Sequence, residues 1–172
     1  LKTDKCILRT GKLGDAGEIL EIMKSVMDEH EFLITLSEEY DLTTQQQREW
    51  IGNFLQNERE TIIVAEIHGE VVGWISFHSP DRKRMAHTGA FGMMIRKECR
   101  NMGIGKLLVQ ALLDWAEANP FIEKVCLGVF STNHRAIALY KRMGFVEEGR
   151  KVNEFKLNEN EYADDILMYK FV

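Results

Sequence analysis

The stretch Arg100-Asn101-Met102-Gly103-Ile104-Gly105-Lys106 decides the fold of this chain. An apolar run, 91–95, and a short charged link, 96–99, lead into it, and a strongly apolar segment, 107–118, follows. That order is strand, tight glycine turn, helix start. The first turn of a helix carries N–H groups without intrahelical acceptors, together with the positive end of the helix dipole. Glycines let a ligand come close to that backbone, so the turn is a cradle suited to phosphate. A plain strand-to-helix turn has the same local pattern. Spacing excludes the two best-known nucleotide loops. A dinucleotide fingerprint, G-x-G-x-x-G, needs a glycine where this chain has Leu108. A P-loop, G-x-x-x-x-G-K-[ST], needs Gly in place of Arg100 and Ser or Thr in place of Leu107.

Upstream of the turn, 86–95 reads as a strand rich in Gly, Ala and Met. Before it, 61–67 and 71–77 are apolar strands joined by His68-Gly69-Glu70, a hairpin. The chain opens with a short strand, 6–10, and an amphipathic helix, 16–28, which Asp15 is placed to cap. Residues 29–41 have no clean period and mix Glu29, Glu31, Glu38 and Glu39 with Phe32, Leu33, Leu36 and Tyr40, which predicts a loop or broken helix. Thr43 then caps a second helix, 44–57. This helix pair either walls a substrate cleft or covers one sheet face.

Downstream, Asn119-Pro120 ends the helix that begins at the turn. A buried-type strand, 125–130, follows, and then a helix, 133–143, closed by Gly144. Segments 145–155 and 162–171 alternate as two antiparallel strands, with 156–161 as the turn region. Strands 86–95 and 125–130 are joined through a long helix, so they run parallel. The sheet is therefore mixed.

Length and composition bound the function. The chain has 172 residues, 45% hydrophobic and 28% charged, as expected for a single globular domain spanning 1–172. No apolar run approaches the ~20 residues of a membrane span. The first residues, Leu1 to Lys5, lack both Met and the apolar core of a signal peptide, which predicts a cytoplasmic protein. A net charge of −5 argues against nucleic-acid binding, which rests on phosphate neutralisation. Cys6, Cys99 and Cys126 are far apart and form no C-x-x-C pair, so neither a metal site nor a disulfide framework is expected. Cys126 reads as a small core residue. Cys99, beside the turn, is either a nucleophile or a bystander, and the bystander is favoured.

At this point the residues resemble the GCN5-related N-acetyltransferases, the GNAT superfamily. The first motif of that family is Arg or Gln, two residues, Gly, one residue, Gly or Ala, matched by Arg100, Gly103 and Gly105 after a strand ending at Ile95. The second is Asn, a helix carrying Ala and Leu-Tyr, then Gly-Phe, matched from Asn133 through Ala136 and Leu139-Tyr140 to Gly144-Phe145. Glu148-Gly149 and Asp164-Asp165-Ile166-Leu167-Met168 fit the family's tail, and the likeness covers about Ile7 to Lys170.

The resemblance implies an α/β (α+β mixed) fold. It has a central twisted, mostly antiparallel sheet of about six or seven strands with a splayed parallel pair, flanked by about four helices. It implies acetyl-CoA as cosubstrate, held between the splayed strands with no metal. The backbone of Met93, Met94 and Ile95 would pair with the pantetheine arm, and at least one of those two methionines is expected to be mainly core. The pyrophosphate would sit on the N–H groups of Asn101, Met102, Gly103, Ile104, Gly105 and Lys106, with charge added by Arg100 and Lys106. Asn133 would bond the cofactor arm, Ala136 would leave it room, and Tyr140 would face the sulfur as general acid. Asn133 and Tyr140 are seven residues apart, hence on one helix face.

The base is the point of departure from the family. Some members carry a Glu on the strand before the turn, and here that place is Gly89. His87 and His78 are substitutes because histidine titrates in the useful range, and Glu29 or Glu31 acting through water is a further option. The region 149–165, with its acids and Phe155, either flanks the acceptor or is a solvated hairpin, and the hairpin is favoured for most of it. Two functions follow. One is an enzyme acetylating a primary amine, on a small molecule or a protein N-terminus. The other is a non-catalytic acyl-CoA sensor, which would not need the Tyr140 proton. A homodimer through sheet edges is compatible with either.

Overall fold

A computed structural model describes residues 5–172; the expectation drawn from Leu1 to Lys5 falls, but for Lys5, outside the described residues. In chain order the elements are β1 (Ile7–Thr10), α1 (Ala16–Met27), α2 (Thr44–Leu55), β2 (Thr61–Ile67), β3 (Glu70–His78), β4 (Thr88–Ile95), α3 (Ile104–Ala118), β5 (Lys124–Phe130), α4 (His134–Arg142), β6 (Val146–Asn158) and β7 (Glu161–Phe171). The strands form one sheet in the order β1-β2-β3-β4-β5-β7-β6. Every neighbouring pair is antiparallel except β4 and β5. This is the mixed sheet with one parallel pair that the element order predicts.

Two aliphatic layers hold the sheet. On one face α3 buries Leu108, Val109, Leu112 and Leu113 against Ile75, Phe77, Val125 and Leu127, and α4 joins the same cluster through Tyr140. On the other, α1 and α2 lay Ile19, Ile22, Ile51 and Phe54 over Ile62, Val64 and Trp74. Each such side chain contributes about 1.5–3 kcal/mol by leaving water. No helix among the described residues is long and apolar enough to cross a membrane.

Local chemistry explains the departures from the expected elements. Asp15 does not cap α1. A short 3-10 turn, Leu13–Asp15, precedes the helix, so Asp15 is already helical (φ −80°, ψ −6°) and not in the extended conformation of a cap. Its buried carboxylate instead accepts from Arg9 Nη1 at 2.8 Å, Arg9 Nη2 at 2.9 Å and Lys12 N at 2.8 Å. Burial works to raise the Asp15 pKa, but Arg9 and the Lys12 N–H hold it below the usual range. Thr43 does cap α2: its hydroxyl accepts from Gln46 N at 3.2 Å, and Gln46 Oε1 accepts from Thr43 N at 2.9 Å.

The turn expected over 156–161 is much tighter. Asn158 Oδ1 accepts from Asn160 N at 3.1 Å and Asn158 Nδ2 donates to Glu161 at 2.7 Å, so the polar residues fold the hairpin around two positions and the strands continue to its tip. Cys126 is not core, because Val125, Leu127 and Val129 take the inward alternation of β5 and leave Cys126 and Gly128 on the other face.

Candidate functional site

The parallel pair is zipped at one end only. Thr88, Gly89 and Ala90 register with Lys124, Val125 and Cys126, and pairing stops there. The His87 carbonyl closes this end by accepting from Glu123 N at 2.8 Å and Lys124 N at 3.2 Å. From Phe91 to Ile95 the other edge of β4 stays paired to β3, while the edge toward β5 has no strand partner among the described residues. The strands diverge into a cleft of about 1040 Å³. Its walls are residues 91–95, the start of α3, the inner face of α4, the C-terminal end of β5, and the loop 29–35 that follows α1.

The glycine turn lies at the open end of β4. A 3-10 turn, Lys97–Cys99, precedes it, and Asn101 (φ +64°) and Gly103 (φ +82°) are both left-handed. Gly103 takes that conformation without the side-chain strain another residue would meet. The first bond of α3 runs from Leu107 N to the Gly103 carbonyl at 3.1 Å, so the N–H groups of Ile104, Gly105 and Lys106 have no intrahelical acceptor. No acidic residue occupies this first turn and no side chain caps it. A Cβ on Gly105 would come within 3.3 Å of Leu139 Cδ2, so the absence of a side chain lets α3 start against α4. Asn101, Met102 and Lys106 are exposed at the cradle.

Arg100 does not extend freely toward the cradle. Its guanidinium forms a two-pronged pair with Glu29, Nη1 and Nη2 each 2.7 Å from a carboxylate oxygen, and Nε donates to the Ile95 carbonyl at 3.1 Å. The hydrogen bonds from Arg100 hold the Glu29 carboxyl below its ordinary range. A carboxylate at an unpredicted distance in sequence has drawn the arginine back into the wall. That pair also ties Glu29 into the structure, which disfavours it as a base; Glu31 lines the cleft and is exposed.

Met93 and Met94 both line the cleft and are both half-buried, with side chains on opposite faces: Met93 packs on the α3 side and Met94 on the α1 side. Asn133, Ala136 and Tyr140 share the face of α4 that borders the cleft. Asn133 Oδ1 is engaged as the helix cap, accepting from Ala136 N at 3.2 Å. Tyr140 is 8% exposed, edge-on to Phe91 at 5.6 Å, and burial pushes its hydroxyl pKa up to about 12.

Neither histidine stands with them. His87 is exposed at the zipped end of β4, away from the cleft. His78 ends β3 beside Glu60, with Nδ1 3.1 Å from Oε1, and borders a separate depression. The physical reason is strand direction: both flank the sheet end where β4 begins, whereas the cleft opens where β4 finishes. Cys99 borders the cleft, but burial raises its thiol pKa, the opposite of an activated nucleophile. Sequence reasoning underweighted Phe155 and Asp165, both of which line the cleft. Alternation along β7 separates Asp164 from Asp165, but which of them faces the cleft is set by the register of the β5–β7 pair, where Asp165 lies opposite Phe130.

A family model described as the acetyltransferase (GNAT) family matches residues 20–145. The chain is 30% identical over 106 residues to the L-amino acid N-acetyltransferase AaaT of Escherichia coli (strain K12), covering 62% of this chain and 65% of that protein, slightly under two thirds of its length. The structure of a GNAT-family acetyltransferase from Streptococcus pneumoniae superposes with a TM-score of 0.92 at 26% identity, covering 98% of this chain and 100% of that one. A GNAT superfamily phosphinothricin acetyltransferase from Sinorhizobium meliloti, solved in complex with acetyl-CoA, superposes with a TM-score of 0.83 at 20% identity, covering 97% and 88%. With the family match running from α1 through the cradle to Phe145, the chain belongs to the acetyltransferase (GNAT) family.

Proposed function

We propose that this chain is an N-acetyltransferase that moves the acetyl group of acetyl-CoA to a primary amine, with Tyr140 as general acid. One observation carries the reading. An unpaired strand edge, residues 91–95, leads through the turn 96–103 to a helix start whose first N–H groups have no intrahelical acceptor. An extended ligand with amides along its length and a pyrophosphate at its end matches both in sequence. The backbone of Met93, Met94 and Ile95 supplies strand-like hydrogen bonds to the amides. The turn 101–106 supplies N–H donors to the pyrophosphate, with Lys106 adding positive charge. Ala136 leaves room between, and Asn133, its Oδ1 occupied, keeps its amide N–H groups for the ligand.

The bound thioester supplies the acetyl group. The amine nitrogen forms the new C–N bond, the C–S bond breaks, and sulfur leaves with the electron pair. Tyr140 protonates that sulfur. With a pKa near 12 the hydroxyl is fully protonated across the physiological range, so the donor is always loaded. The Phe91 and Phe145 rings lie edge-on to Tyr140 and shield its side chain from solvent. The cytoplasmic location expected from the sequence is compatible with acetyl-CoA as donor.

The test is thiol release from acetyl-CoA with a panel of amines, beginning with L-amino acids because the E. coli relative is named for them. Turnover is expected with at least one amine. Tyr140→Phe should lower kcat about 100-fold, roughly 2.7 kcal/mol of barrier, with acetyl-CoA affinity within twofold. Tight binding of acetyl-CoA without turnover on any amine would identify a sensor instead.

A further inference from the structure

Asp164 and Asp165 are neighbours on β7 and point to opposite faces. The Asp164 carboxylate is satisfied, accepting from Arg150 Nη1 at 3.0 Å and Asn153 N at 2.8 Å. Asp165 is half-buried and lines the cleft, and its carboxylate has no hydrogen-bond or ion-pair partner among the described residues. Its register partner on β5 is Phe130. Two residues back along β5, Gly128 leaves the space the carboxylate occupies: a Cβ there would come 2.9 Å from Asp165 Oδ1. Phe130 stacks flat on Phe155 of β6, with centroids 4.1 Å apart and planes at 8°. The charges that reach Asp165 come from β6, Lys151 and Glu154; Gly128 and Phe130 on β5 contribute none. Burial is the larger influence and raises its pKa.

A half-buried carboxylate without a hydrogen-bonded partner is unfavourable for the fold, and Lys151, opposite Asp165 on β6, offsets less than burial costs. Here the chain holds one at the cleft wall, on the face opposite the α4 side from which Tyr140 approaches. The amine that attacks the thioester arrives as an ammonium ion, which needs a counter-charge and must give up a proton. We infer that the Asp165 carboxylate receives the acceptor's ammonium group and takes its proton, and that the Phe130–Phe155 stack favours an amine carried on an apolar or aromatic group. This rests on the N-acetyltransferase reading.

The protons balance. R–NH3⁺ gives one proton to Asp165 and becomes R–NH2, which attacks the acetyl carbon. The C–N bond forms, the C–S bond breaks, and the thiolate takes the Tyr140 proton. The second nitrogen proton returns through water to the Tyr140 phenolate, and Asp165 releases its proton to solvent. The net products are the amide, the free thiol and one proton.

Asp165→Asn, Gly128→Ala and Phe155→Ala test this on the full chain, by steady-state kinetics with acetyl-CoA and phenylethylamine, ethylamine and L-phenylalanine, together with thermal melts. In Asp165→Asn, kcat/KM for the amine should fall at least 100-fold, with KM for acetyl-CoA within twofold and Tm equal to or above that of the parent. A merely structural aspartate would lower Tm. Gly128→Ala displaces the carboxylate by its flexible end without disturbing backbone, and should lower amine kcat/KM about tenfold. Phe155→Ala should reduce the preference for phenylethylamine over ethylamine about tenfold. Amine kcat/KM within threefold of the parent in Asp165→Asn, or a fall in Tm with loss of acetyl-CoA affinity, overturns the assignment. No turnover by the parent on any amine, with acetyl-CoA bound, overturns the acetyltransferase reading itself and Asp165 with it.

Discussion

The two halves of β4 have opposite characters. At residues 88–90 the strand is registered with β5, Ala90 also pairs with His78 of β3, and there is no spare volume: a Cβ on Gly89 would strike the Phe77 ring and approach the His78 carbonyl oxygen to 2.5 Å. At residues 91–95 one edge is unpaired, and a Cβ on Gly92 would meet nothing within 4 Å. Both positions are glycine, three residues apart in one strand. The first is glycine because the fold has no room, and the second is glycine beside a cleft. Stability and the proposed ligand binding are thus divided along a single strand, and substitutions in each half should separate them.

The largest expected effect is Gly89→Ala. The obstacle includes backbone, which cannot swing aside, so the change should destabilise by about 3 kcal/mol, the upper end for overpacking. Urea unfolding measures it, and a loss below about 1 kcal/mol would show that the zipped end is looser than its packing implies.

Arg100→Met comes next. It removes the fork that fastens the open end of β4, through the Ile95 carbonyl, to Glu29. Loss of these charged hydrogen bonds should cost about 2 kcal/mol at neutral pH. Arg100 lowers the Glu29 pKa on folding, so this contribution is present above the unfolded-state value of about 4.3 and is lost as pH falls through the lower folded value. Urea midpoints from neutral to acid pH should therefore fall more steeply in the parent than in the variant; parallel curves would refute the coupling.

The smallest stability effect belongs to Gly92→Val, within about 0.5 kcal/mol of the parent. A valine there projects beside the cleft, and catalytic efficiency should drop about tenfold even so. A large stability loss with unchanged turnover would reverse the contrast between the two halves.

The sequence carried the elements further than the site. The sequence located the strands and α-helices, though not the short 3-10 turns, because α3, with its buried Leu108, Leu112 and Leu113, and β2, with its buried Ile62 and Val64, are long and regularly patterned. Tyr140 was singled out by the family motif that starts at Asn133, and the structure brings both residues to the cleft. Arg100 was legible as part of the turn, but not its partner, since Glu29 sits 71 residues away in a stretch with no period. His87 looked well placed only while strand direction relative to the cleft was unknown. Asp165 was hidden for a different reason. Acids near a hairpin are mostly solvated, and only the register of β5 against β7 separates the paired Asp164 from the unpaired Asp165.

The divergence of β4 from β5 has a consequence for cooperativity. A sheet interrupted in its middle is two half-sheets, β1 to β4 and β5 to β7, coupled through three registered pairs and the layer of α3. On the proposed binding mode, acetyl-CoA along the unpaired edge would act as a removable eighth strand and restore continuity between the halves. Binding to the folded chain alone adds about 2.7 kcal/mol when the ligand is at 100 times its Kd. Part of that increment should appear as slowed amide exchange in β5 and β7, on the far side of the gap from the edge that holds the ligand.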